Sequence, residues 1–198
     1  MNYLAHAYLS FGNDDIIVGN MISDFVKGRK KFSYSQAIQN GIMLHRSTDN
    51  FTDQHAVTRK AKMIFKEAYG LYAGAFVDVA YDHFLAKDEN EFKFPEKLSS
   101  FSASIYSTLN RYHQYLPESF KKMLPYMERQ DWLFNYRTQN GINQSFGGLV
   151  HRAKYLSDSK PACNLLMENY EFLNDCYNEF FPSLKEYTIN KYRELLMK

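Results

Sequence analysis

Residues 71–86, LYAGAFVDVAYDHFLA, constrain this chain more than any other segment. The run is apolar around most of a helical circumference, so it predicts a helix buried at the centre of the fold. Yet it carries Asp78 and Asp82 one turn apart, with no Lys or Arg between Leu71 and Ala86. Two buried carboxylates at that spacing repel each other and pay for desolvation, so they need a positive partner or a proton. A divalent cation held by carboxylates and neutral imidazoles from several helices is the simplest partner.

Two other segments repeat the pattern. An advance of about 100° per residue puts positions i, i+4, i+7 and i+11 on one face. In the second predicted helix that stripe is Ile17, Met21, Asp24 and Gly28; in the third it is Ile38, Ile42, His45 and Asp49. His83 directly follows Asp82, and His6 lies on the first helix. Each of these residues alone has an ordinary reading: Asp24 as a boundary or cap partner, His45 as a hydrogen-bonded core histidine. Asp53, His55 and His113 read as capping or surface residues, and His151 as surface or substrate-facing. Three such stripes together with His83 favour a metal site.

Helical periodicity continues over the rest of the chain. Helices are predicted over roughly 2–11, from an Asp14 cap to about 28, and from after the Ser33/Ser35 region to about 51. Others follow over 56–69, 71–86, 96–115, 118–127, 131–136, 141–156 and 162–196, the last broken or kinked at Pro182. Alternating β-branched runs are nearly absent. The 198 residues therefore predict one all-α domain, a helical bundle spanning 1–198. Apolar residues at 45% and aromatics at 17% supply ample core and argue against disorder.

A formal net charge of +2 gives no case for nucleic-acid binding. No apolar stretch approaches the ~18 residues of a membrane span. Cys163 and Cys176 lack CxxC spacing and read as reduced thiols of a cytoplasmic protein, and the first residues do not read as a signal peptide. The densest basic run is KGRKK, with Lys27, Arg29, Lys30 and Lys31 following Asp24, while Arg46 follows His45. An anion-binding role competes there with a solvated, dipole-favoured helix end.

The blocks MNYLAHAYLS, GNMISDFVKGR, GIMLHRSTDNFTDQHAV, YAGAFVDVAYDHFLA, DWLFNYRTQNGI and GGLVHRA resemble, in order, those of acyl-carrier-protein phosphodiesterases. That family is similar to the HD-type metal-dependent phosphohydrolases, of which it is an atypical relative. The resemblance spans Met1 to about Tyr155. It implies an all-helical hydrolase using a divalent cation, preferentially manganese, to release 4′-phosphopantetheine from the serine of holo acyl carrier protein. Matching positions then suggest His6, Asp24, His45, Asp78 and Asp82 as metal ligands and His45, Asp49 and His83 as catalytic groups. Lys27, Arg29, Lys30 and Arg46 would meet the acidic protein substrate. Ala56 stands where the family often has proline, which affects helix initiation only. Two alternatives stay open: a phosphohydrolase acting on a small nucleotide or other phosphodiester, and a helical binding protein without activity.

Overall fold

The computed structural model describes residues 1–197, and these contain eleven α-helices and no strand. The all-α expectation is borne out. α1 (Tyr3–Tyr8) and α2 (Asp14–Ile22) lead through two 3-10 turns, Ser23–Phe25 and Gly28–Ser33, into α3 (Gln36–Gln54). α4 (Ala56–Tyr69) and α5 (Ala73–Lys87) follow, then α6 (Pro95–Arg111), α7 (Glu118–Arg129), α8 (Trp132–Asn135) and α9 (Gln139–Arg152). α10 (Lys160–Glu168) and α11 (Tyr170–Leu196) close the chain.

α5 is the central helix that its composition predicts. Eleven of its fifteen residues are buried, among them Phe76, Val77, Tyr81 and Leu85. One hydrophobic cluster extends around it from Met1 to Leu184, and a small satellite joins Ile16, Leu44 and Leu195. Much of the filling is aromatic: Tyr69 stacks on Phe76 at 3.7 Å and Tyr81 on Phe180 at 5.2 Å between ring centroids.

The pair α2 and α3 is set by two glycines. A Cβ on Gly19 would lie 2.2 Å from the Ile38 carbonyl oxygen, and one on Gly41 would lie 2.6 Å from that of Ile16. Both approaches fall well inside van der Waals contact, so only glycine lets the two backbones touch here.

Several boundaries differ from the sequence expectation, and three of them have a specific physical reason. Asn13, not Asp14, caps α2 by accepting from the Ile16 N–H, and Asp14 pairs instead with Arg111 at 2.6 Å. α2 stops at Ile22, so Asp24 sits on the 3-10 turn beyond it. The break near the C-terminus falls at Asn169, and α11 runs through Pro182. The neighbours Phe180, Phe181 and Leu184 are buried, and their packing offsets the one backbone hydrogen bond that proline forfeits.

Candidate metal centre

α1 and α3 meet at two imidazoles. His6 on α1 and His45 on α3 are buried, with 3% and 5% of their surface exposed. Their rings stack 3.8 Å apart. Asp49 lies one helical turn beyond His45 and reaches both of them. Its Oδ2 is 3.0 Å from His45 Nε2, and its Oδ1 is 3.0 Å from His6 Nε2. Asp24, on the turn after α2, places Oδ1 3.2 Å from His45 Nε2 while 72% of its side chain stays exposed.

The orientation of His45 is fixed from behind. Its Nδ1 is 2.8 Å from the Asn20 carbonyl oxygen, which can only accept, so Nδ1 carries a hydrogen and Nε2 faces the cluster. A carbonyl behind a histidine is the usual support of a metal-ligating ring. Burial alone would lower the His45 pKa, but hydrogen bonds to Asp24 and Asp49 outweigh it and raise it to about 9. His6 goes the other way: burial, and then the charge of His45, lower it to about 4. Burial would raise Asp49, yet the two histidines hold it well below the usual carboxylate range. Asp24 is lowered mainly by its hydrogen bond with His45.

Both ring nitrogens of His6 and Oδ1 of Asp49 are buried without a hydrogen-bond partner. The 3.0 Å approach of His6 Nε2 to Asp49 is therefore a close contact without the alignment of a hydrogen bond. Unpaired buried polar atoms cost about 1–3 kcal/mol each, and an unseen ion is one recognised reason to keep them. One ligand atom each from His6, His45 and Asp49 fall within 4.8 Å of one another. Two imidazole nitrogens and a carboxylate oxygen suit a divalent first-row ion and leave positions free for water or substrate. The residues fit such an ion, and its binding would displace the proton that His45 otherwise holds between two carboxylates.

The other residues singled out in the sequence are not members of this trio. Asp78 is beside it, with Oδ1 2.9 Å from the Met1 α-amino nitrogen, which itself lies 3.6 Å from Asp49 Oδ1. Asp82 is not placed as a ligand. Its fully buried carboxylate accepts from the backbone N–H groups of Asn2, Leu4 and Ala5, at 3.2, 2.7 and 3.3 Å, and so caps α1. Burial pushes its pKa up to about 7 even so. His83 also points elsewhere: Nδ1 is 2.8 Å from the Tyr136 carbonyl and Nε2 is 2.8 Å from the Tyr170 hydroxyl. Both nitrogens are occupied, away from the trio, which removes the geometric basis for His83 as a proton donor at this centre.

Among the basic residues, Lys27, Arg29 and Lys30 are exposed on the second 3-10 turn and its cap, next to Phe32, which is 63% exposed. Arg46 is tied to that loop by donating to the Val26 carbonyl at 2.7 Å. Asp53 pairs with Lys62, and His55 links the end of α3 to the start of α4. Cys163 and Cys176 are both free thiols.

The Met1 amine and the Asp82 cap are the features that sequence reasoning missed. The second carried no sequence signal, because Asn is a favoured cap residue, yet α1 starts at Tyr3 and Asn2 provides no side-chain cap. A helix without a local cap needs an acceptor from elsewhere in the chain.

Known proteins resemble this chain along most of its length. The family model described as acyl carrier protein phosphodiesterase matches residues 1–184. The chain is 29% identical over 191 residues to the acyl carrier protein phosphodiesterase of Photorhabdus laumondii, covering 96% of each chain. It is 28% identical to that of Serratia proteamaculans, covering 96% of this chain and 99% of the relative. The Yersinia pestis protein of the same name is also 28% identical, over 93% of this chain and 95% of its own. No solved structure matches, so the likeness to HD-type phosphohydrolases rests on no structural comparison. The match across the length of the chain shows that it belongs to the acyl carrier protein phosphodiesterase family.

Proposed function

We propose that this protein hydrolyses the phosphodiester joining 4′-phosphopantetheine to the serine of holo acyl carrier protein, using a manganese ion held by His6, His45 and Asp49. The observation that carries the reading is the trio itself: two buried, stacked imidazoles and a partly exposed carboxylate, with unpartnered polar atoms close to one another. The proteins that the chain resembles are named for action on acyl carrier protein.

A bound divalent ion would supply Lewis acidity toward a phosphoryl oxygen and lower the pKa of a coordinated water. The chain's own residues set the rest. Asn20 holds the His45 ring in the tautomer that presents Nε2. Asp24 stands at the solvent side of the trio as a carboxylate, placed to accept a proton from water entering the site. Asp78 pairs with the Met1 ammonium and balances its positive charge beside the trio. Lys27, Arg29 and Lys30 form an exposed basic edge that complements an acidic carrier protein, and Phe32 offers an apolar contact within it.

The test is a turnover assay with holo acyl carrier protein, read by mass spectrometry as loss of the phosphopantetheine arm. Protein stripped of metal should be inactive, and manganese should restore it. Release from holo carrier protein should far exceed hydrolysis of nucleotide diesters by the same preparation. Faster hydrolysis of nucleotides would replace the proposed substrate by a small phosphodiester.

A further inference from the structure

A second concave site lies on a different face of α5. Asp78, beside the metal trio, and His83 are five residues apart, which is about 140° of helical rotation. His83 opens onto a cavity of about 260 Å³ between α5, the segment after α8, α9, α10 and the start of α11. One side is apolar, with Ile142 and Leu166 both buried. The other side carries Lys87 and Arg137.

The polar side is organised. His83 Nδ1 faces the Tyr136 carbonyl and therefore bears the hydrogen, which leaves Nε2 to accept from the Tyr170 hydroxyl at 2.8 Å. Burial lowers the pKa of His83 to about 4, so it stays neutral. The same phenol oxygen accepts from Lys87 Nζ at 2.9 Å. Lys87 is thus held over the cavity with two of its three N–H bonds unspent. Arg137 lies over the Phe134 ring. Among the described residues, neither cation has a carboxylate within ion-pair distance, whereas Lys62, Lys121, Lys185 and Arg111 each have one.

Two uncompensated cations facing an apolar hollow make a poor resting surface and a good receptor. They attract a charge of opposite sign, and the low-dielectric wall behind them strengthens that attraction. The volume falls just under the ~300–1,000 Å³ usual for ligand pockets, so the occupant is small. We propose that this cavity binds a small amphiphilic anion, with the head on Lys87 and Arg137 and a short hydrocarbon chain against Ile142 and Leu166. A fatty acid and an alkyl phosphate share that chemistry, and nothing in the site depends on the metal trio.

Calorimetric titration of the full-length protein with octanoate, octyl phosphate, octanol and butyrate tests it. Octanoate or octyl phosphate should bind one to one and saturably, about 10-fold or more tighter than octanol or butyrate, as expected for a charge-assisted contact combined with chain burial. The tighter of the two heads identifies the source, a free fatty acid or a phosphorylated lipid. Lys87→Gln and Arg137→Gln should each weaken binding of the anion about 10-fold with little effect on octanol. Nuclear Overhauser contacts from bound octanoate to the Leu166 and Ile142 methyls give a readout in wild-type protein that needs no variant. The proposal is overturned by an absence of saturable binding, by octanol binding as well as octanoate, or by folded variants that bind as wild type does. Contacts to methyls elsewhere would overturn it too.

Discussion

The imidazole rings of His6 and His45 lie face to face, 3.8 Å between centroids and 15° from parallel. Two imidazolium rings at that separation would repel strongly in a buried site, so the pair carries a single positive charge, favoured on His45. The stack is kept together from outside. Asp49 bridges the two rings, and the Asn20 carbonyl pins one of them.

Asp82 gives the first prediction. Because its carboxylate caps α1, Asp82→Ala should lower stability by about 0.5–2 kcal/mol, the usual cost of losing a helix cap. Asp82→Asn keeps an acceptor oxygen and should cost less. Urea unfolding of the metal-free variants measures both. Equal losses would show that the charge, not the cap, matters at this position.

His83 gives a pH dependence. Its folded pKa, about 4, lies below the unfolded value of about 6.5. The stabilisation from its neutral form is therefore fully present above pH 6.5 and is lost as the pH falls toward 4. The loss reaches on the order of 3 kcal/mol at most. Wild type should lose more stability than His83→Gln between pH 7 and pH 4. Parallel stability curves for the two proteins would contradict this.

Gly19 marks the closest approach of α2 to α3. Gly19→Ala would drive a Cβ into the Ile38 carbonyl and should cost about 1–3 kcal/mol or more by overpacking. Manganese affinity should fall with it, since these two helices carry Asn20, His45 and Asp49. Gly148→Ala is the control: nothing lies within 4 Å of its Cβ position, and helix α9 should be unchanged or slightly more stable. Thermal melts of both variants check this.

The basic edge predicts a split between substrates. Lys27→Glu with Lys30→Glu should lower kcat/KM for holo carrier protein by about 10-fold or more at low salt and weaken its salt dependence. Hydrolysis of a small phosphodiester should not change. Steady-state kinetics at two ionic strengths would show both. A similar response from both substrates would exclude this loop as the docking surface.

Much of this was legible in the sequence, for reasons that differ by residue. His45 and Asp49 are four apart on an apolar helical stripe, and that spacing alone puts them on one face. Asp24 reaches the site although α2 ends two residues before it, because the 3-10 turn continues the same winding. Asp78 and Asp82 looked alike on the wheel of α5. Their different roles come from the N-terminal segment folding across that helix, with partners 77 to 80 residues away in the chain for Asp82. Those partners are backbone amides, which carry no side-chain signature. The break between α10 and α11 falls at Asn169 and not at the obvious breaker Pro182, because buried neighbours on α11 hold the helix through that proline.

The most direct test of the central claim is anomalous diffraction from a crystal grown with manganese. One strong peak is predicted within bonding distance of His6, His45 and Asp49, with Asp82 still capping α1. A peak bonded to Asp82 or His83, or a manganese-activated enzyme whose peak lies away from His6 and His45, would contradict it.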